Sequence, residues 1–290
     1  MRHVYFFITM DCDTRIGNNV VQKEGILTLF DLYNELNLRE RVTWFINNND
    51  FNFTTVKKDI LLEISHRGDS VGIHDHFESA NISDYKSAKI FANRSLKKII
   101  DFYDSNGIKE QIISHRNGCL SQFSYVYKVL IELGYKVVSD VWPGKEWCSK
   151  MIAVDRKKNK WQVDHTMSDF SIHIDNSHIP LNGTYWIHNE NNAVEYTSRE
   201  GSLIQLPIVG CGGPCLDRKA ILETIKNNIN NEVFLAWDIH PYDIQDEISQ
   251  KTEKIKVNLY KKDIEWLINE YNPIFININD FYFNIFQNKF

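Results

Sequence analysis

The sequence predicts an α/β protein in which parallel strands alternate with helices, and three observations carry that expectation. Short apolar runs alternate with longer stretches whose apolar residues recur at helical spacing, at least four times in succession up to Asp140. Most of those apolar runs end in an acid, a histidine or an arginine. The chain is 290 residues long and 43% hydrophobic, enough for a core of that kind.

The first run, Phe6, Phe7, Ile8, Thr9 and Met10, reads as a buried strand that delivers Asp11 and Asp13. Side chains alternate along a strand, so the two carboxylates project to one side, with Cys12 between them as a small buried hydrophobe on the other. Two carboxylates facing one spot call for a proton, a cation or solvent. Ile26, Leu29, Phe30, Tyr33 and Leu36 then mark an amphipathic helix. Residues 42–46 form a second strand, 56–65 a helix, and 70–73 a third strand ending at His74. A long helix follows with Ala92, Leu96, Ile99 and Tyr103 on one face. Residues 112–113 read as a short strand ending in Ser114, His115 and Arg116. The next helix has Ser121 as N-cap and Gly134 as its stop, and Val137 and Val138 lead to Ser139 and Asp140. Residues 145–201 are less regular and read as loops or an antiparallel excursion. Regularity returns with a strand over 202–208, a helix through Ile221, Ile225 and Ile229, a strand over 233–237 ending near His240, a helix through Ile264, Leu267 and Ile268, and a last strand at 274–276. With no Pro/Gly-rich linker, residues 1–290 are expected to form one domain carrying an irregular insertion at about 145–201.

A net charge of -5 without a dense Lys/Arg run argues against nucleic acid or an anionic membrane as the main partner. Five scattered cysteines are not a disulfide framework, and the spacing of Cys211 and Cys215 fits neither a zinc pair nor a redox motif. No segment approaches the ~20 apolar residues of a membrane span, and the N-terminus lacks the pattern of a signal peptide. The expectation is a soluble, cytoplasmic protein with reduced thiols.

Asp11 and Asp13, His74 and His76, Arg116, Asp140 and His240 follow five separate predicted strands. In a barrel of parallel strands those ends share one face, where catalytic residues gather. Asp and His suit zinc or another divalent first-row metal, a further acid can take a proton from water, and a histidine opposite can protonate a leaving group. The chemistry they could perform together is metal-assisted hydrolysis.

In these motifs the chain resembles the polysaccharide deacetylases, the NodB-homology or carbohydrate esterase 4 group. The resemblance lies in Ile8 to Asp13 with its Asp-x-Asp spacing, in Asp69 to His74, in His115-Arg116-Asn117-Gly118, in Ser139 to Trp142, in Ser202 to Ile208 and in Phe234 to His240. It spans nearly the whole chain except about 145–201. It implies a distorted (β/α) barrel with about seven parallel strands and a divalent metal, zinc before cobalt or nickel. It implies that Asp11 is the general base, Asp13 and His74 metal ligands, Arg116 the partner that keeps the base ionised, and His240 the general acid with Asp140 or Asp238 orienting it. Where the family has its second metal histidine this chain has Glu78, so His76 and Glu78 both stand as candidates for the third ligand. The implied activity is removal of an N-acyl group, acetyl in the first instance, from an amino sugar or a glycan precursor in surface-polysaccharide assembly. Two rivals are a small-amide hydrolase of the allantoinase-like branch and a catalytically silent glycan-binding protein. Trp44, Trp142 and Trp237 are candidate walls of a sugar cleft, with core packing the default for each.

Overall fold

The structure is a computed structural model that describes residues 2–12, 23–47, 55–77, 82, 84–150, 171–188, 201–211, 216–246 and 251–289. In chain order the elements are β1 (His3–Cys12), α1 (Lys23–Glu35), β2 (Val42–Asn47), α2 (Thr55–Arg67), β3 (Ser70–Asp75), α3 (Tyr85–Ser105), β4 (Ser114–Asn117), α4 (Ser124–Glu132) and β5 (Val137–Val141). Then come β6 (Glu146–Lys150), β7 (Ser171–Asp175), β8 (Trp186–His188), β9 (Leu203–Cys211), α5 (Arg218–Asn227), β10 (Glu232–Ile239), α6 (Lys254–Tyr271) and β11 (Ile274–Phe275).

Seven strands pair in parallel in the order β10, β1, β2, β3, β4, β5, β9, and β9 pairs back onto β10, which closes the barrel. Register shifts in the β5–β9 and β9–β10 ladders are what distort it. Of the loops or antiparallel excursion expected at 145–201, the described residues show antiparallel strands: β6 pairs antiparallel with β7, and β8 runs antiparallel along β9. The last strand, β11, lies beside β1 for two residues and is not part of the ring.

Strand alternation sorts the residues into two layers. Phe7, Phe45, Val137, Ile204, Leu206, Phe234 and Ala236 form one cluster, the barrel interior. Their neighbours Phe6, Ile8, Trp44, Ile46, Val138, Leu203, Leu235 and Trp237 belong to the larger cluster that packs against the helices. The lower mouth is sealed by the C-terminal segment: Phe281 meets the rings of Phe7 and Phe234 edge-on, and the Ile278 amide donates to Thr43 Oγ1. Burying each such aromatic contributes roughly 1.5–3 kcal/mol. Gly72 is required at the inner wall, because a Cβ there would lie 2.5 Å from the Phe45 ring and 2.6 Å from Ser114 Oγ.

Several expectations shift. The strand expected at 112–113 is instead β4, made of Ser114, His115, Arg116 and Asn117, all fully buried. An apolar run is the usual mark of a buried strand, but here the strand buries polar side chains, and those of His115, Arg116 and Asn117 bond to their neighbours. Ser121 ends a short 3-10 turn rather than capping α4, whose N-cap position is Phe123. Gly134 does stop α4, in the left-handed region at φ 87°. Helix α5 ends before Ile229, which is 95% exposed. Trp44 and Trp237 are fully buried in the outer layer and are core, not cleft wall; Trp142 is half-buried, with Lys145 Nζ 5.4 Å from its ring centroid. Cys12 is buried on the outer face as expected. Cys215 lies outside the described residues. Among the described residues no helix is long and apolar enough to cross a membrane.

Candidate active site

The centre of the site is Arg116, on the inward face of β4 and fully buried. All five of its N–H groups find acceptors. Nε donates to the Ser139 carbonyl (2.6 Å), Nη1 to Asp11 Oδ1 (2.9 Å) and Asp238 Oδ1 (2.6 Å), and Nη2 to Thr9 Oγ1 (2.9 Å) and Ser139 Oγ (3.0 Å). Its guanidinium lies 4.4 Å over the Phe45 ring, the top of the apolar interior. Thr9 in turn donates its hydroxyl to the Trp237 carbonyl, which fixes the acceptor. A buried arginine is tolerated only when charge and donors are both matched, and here two carboxylates match them.

Asp11, Asp238 and Thr9 sit on inward positions of the adjacent strands β1 and β10, where Thr9 registers with Asp238. Beyond Asp11 lies His74 at the exit of β3, its Nδ1 3.6 Å from Asp11 Oδ2. The His76 ring meets the His74 ring edge-on at 4.8 Å. On the other side His240 follows β10; its backbone N–H donates to Asp243 Oδ2 at 2.9 Å, its Nδ1 lies 3.4 Å from the same oxygen, and its ring stacks on Tyr242. Burial opposes a proton on His240, but the carboxylates of Asp243, Asp238 and Asp11 outweigh it and raise its pKa to about 10.

The structure thus brings Asp11, Arg116, His74, His76, Asp238 and His240 to one end of the barrel, and adds Thr9, Ser139 and Asp243. Asp13 and Glu78 lie outside the described residues. Asp140 is placed differently from its expected role. It faces outward from β5 and accepts from Tyr127 Oη (3.0 Å) and Asn117 Nδ2, while the carboxylate beside the His240 imidazole is Asp243. Strand alternation explains this: Ser139, one residue earlier, takes the inward position. A signal in the sequence marks the added acid: Asp243 stands one turn after His240.

Burial lifts the Asp140 carboxyl to about 7, against the opposing hydrogen bonds of Tyr127 and Asn117 and the charge of Arg116. An acid whose pKa is higher folded than its usual 3.8 binds its proton more tightly in the folded state. Its contribution to stability therefore falls as pH rises from about 4 to about 7. Asp140→Asn should make that fall shallower when urea midpoints are measured across the range. The asparagine can be accommodated because Asn117 Oδ1 is a buried oxygen with no hydrogen bond among the described residues, placed to accept if its amide flips.

The donors suit a divalent first-row cation. Asp11, Asp238 and His240 each offer one ligand atom, all within 4.8 Å of one another, and His74 and His76 offer imidazole rings on the other side of Asp11. Asp11 and Asp238 already share a guanidinium, which weakens their claim on a second positive charge relative to the imidazole pair.

No protein-family model matches the chain, and no curated protein matches it in sequence. Solved structures do resemble it. A protein from Mycobacterium smegmatis assigned to the polysaccharide deacetylases overlays with a TM-score of 0.58 at 12% identity, covering 99% of this chain and 92% of that one. A protein from Bordetella bronchiseptica, assigned as a polysaccharide deacetylase involved in O-antigen biosynthesis, gives 0.45 at 14% identity over 93% and 82%. The Xyl-CE4 domain of a multidomain xylanase from the hindgut metagenome of Trinervitermes trinervoides gives 0.48 at 9% identity over 100% and 92%. Only the first overlays closely enough to carry the comparison. In fold, this chain is a seven-stranded, distorted (β/α) barrel of the polysaccharide-deacetylase type.

Proposed function

We propose that the protein is a divalent-metal-dependent hydrolase that removes an N-acyl group, acetyl in the first instance, from an amino sugar or a glycan precursor of surface-polysaccharide assembly. The observation that supports this most is the Asp11–Arg116–Asp238 bridge, set between the His74–His76 pair and His240 at one end of a deacetylase-type barrel. His74 and His76, with Asp13 before them in the chain, would hold the metal; Glu78 stays as the alternative to His76. A bound divalent cation, zinc in the first instance, polarises an acyl carbonyl and makes water a better acid.

Asp11 is the base. Arg116 takes Oδ1 and fixes the carboxylate, and Oδ2 faces the His74 side, where it can take a proton from water as the oxygen adds to the acyl carbon. His240 is the acid: Nδ1 faces Asp243, so Nε2 delivers the proton to the nitrogen as the C–N bond breaks, releasing acetate and a free amine. Asp243 keeps that proton in place near neutral pH. Replacing Asp243 by Asn removes the largest influence holding the His240 pKa up, so the alkaline limb of the kcat/KM profile should move to lower pH.

The test is acetate release from free, nucleotide-linked and polymeric N-acetylated amino sugars, using metal-stripped protein with and without zinc, cobalt or nickel. Release that depends on added metal supports the proposal. Glycan binding without release under any of these conditions would replace it with a binding protein.

A further inference from the structure

We propose that Asp75 is a positioning residue for the metal-binding imidazoles, acting from the opposite face of the strand. This rests on the metal reading of His74 and His76 above. Asp75 stands between those two histidines but points outward, fully buried under α3. Its Oδ1 accepts from Ser95 Oγ of α3 at 2.7 Å, and its Oδ2 lies 3.3 Å from His115 Nε2 of β4. Because a carboxylate can only accept, His115 is the Nε2–H tautomer. One side chain therefore ties the exit of β3 both to the helix behind it and to the neighbouring strand.

That tie matters because the β3–β4 ladder is short at this end. It registers His74 with Arg116 and Asp75 with Asn117 before both strands leave the barrel. His76 comes next, and its ring lies against the backbone just past β4: a Cβ on Gly118 would fall 2.2 Å from His76 Nδ1. The seat of His76 is thus supplied by β4, while His76 itself hangs from β3. The angle between the two imidazoles depends on the two strand exits keeping their relative position, and the Asp75–His115 pair sits directly behind that point. Buried hydrogen bonds hold such a geometry better than apolar contact, because sliding would leave a carboxylate unsatisfied.

The experiment measures cobalt(II) affinity and the visible spectrum of the bound ion on metal-stripped protein, alongside the urea midpoint without metal. Asp75→Ala is expected to weaken cobalt binding by about 10- to 100-fold and to change the spectrum. Asp75→Asn is expected to recover most of the affinity, since its amide can still accept from Ser95 and donate to His115 in the other tautomer. Gly118→Ala is expected to weaken binding by crowding His76 from the far side. Should Asp75→Ala not fold, Ser95→Ala gives the milder test: it weakens binding in the same direction if the clamp positions the ligands. Wild-type affinity and spectrum in Asp75→Ala, or in Ser95→Ala where the former does not fold, would overturn the proposal while the metal reading stands. A wild-type protein that binds no cobalt would overturn both.

Discussion

Arg116→Met is expected to destabilise the protein by about 3–5 kcal/mol, the usual cost of removing one partner from a buried ion pair. The methionine fills much of the space, so the loss is electrostatic: Asp11 and Asp238 remain on adjacent strands without the guanidinium that bridges them. Thr9 Oγ1 and both the carbonyl and hydroxyl of Ser139 lose their donors as well. Against a typical total stability of roughly 5–15 kcal/mol, this places the variant close to unfolding. Arg116→Lys should recover only part of the loss. It restores the charge but brings three donors on a flexible stem where five N–H groups in a planar fork now reach five acceptors. Urea unfolding of the three proteins checks this, and a methionine variant as stable as wild type would show that the carboxylates do not depend on the arginine.

Asp11→Asn is expected to cut turnover by about 10²- to 10⁴-fold, the range a positioned general base contributes. The amide oxygen can still accept from Arg116 Nη1, so the unfolding midpoint should move far less than in Arg116→Met. The two variants therefore separate the arginine's structural role from the chemical role proposed for the acid. Retained cobalt binding in Asp11→Asn with turnover gone would match a base outside the ligand set; unchanged turnover would remove Asp11 from the reaction.

How much of the fold and the site is legible in the sequence depends on the physical cue each residue carries. Strands such as β1 and β10 are plain, because a run of apolar residues followed by acids is what a buried strand emerging from a core looks like. The convergence of Asp11, His74, Arg116 and His240 then follows from parallel topology alone. What the sequence hides is held between strands. Arg116 and Asp11 are 105 residues apart, and that they bond depends on barrel order and register, which no local pattern displays. Strand β4 is hidden because hydrogen bonds, not apolar side chains, make its burial possible, and the apolar pair Ile112–Ile113 lies just ahead of it. An acid looks more chemical than a hydroxyl, which favours Asp140 over Ser139, although strand parity assigns them opposite faces once Arg116 is placed inside. Trp44 and Trp237 alternate with Phe45 and Asp238 in the same way, and parity sends both tryptophans to the core.

The back-to-back use of β3, β4 and β5 has a consequence for how such a protein can evolve. On these strand exits the inward residues His74, Arg116 and Ser139 face the barrel mouth, and the outward residues Asp75, His115, Asn117 and Asp140 are bonded among themselves and to the helices. Neither face has a spare position, and a one-residue insertion or deletion would exchange the two sets at a stroke. Divergence toward new substrates is therefore channelled away from the strands and into the segments that follow them, where a change in length leaves the parity beneath it untouched.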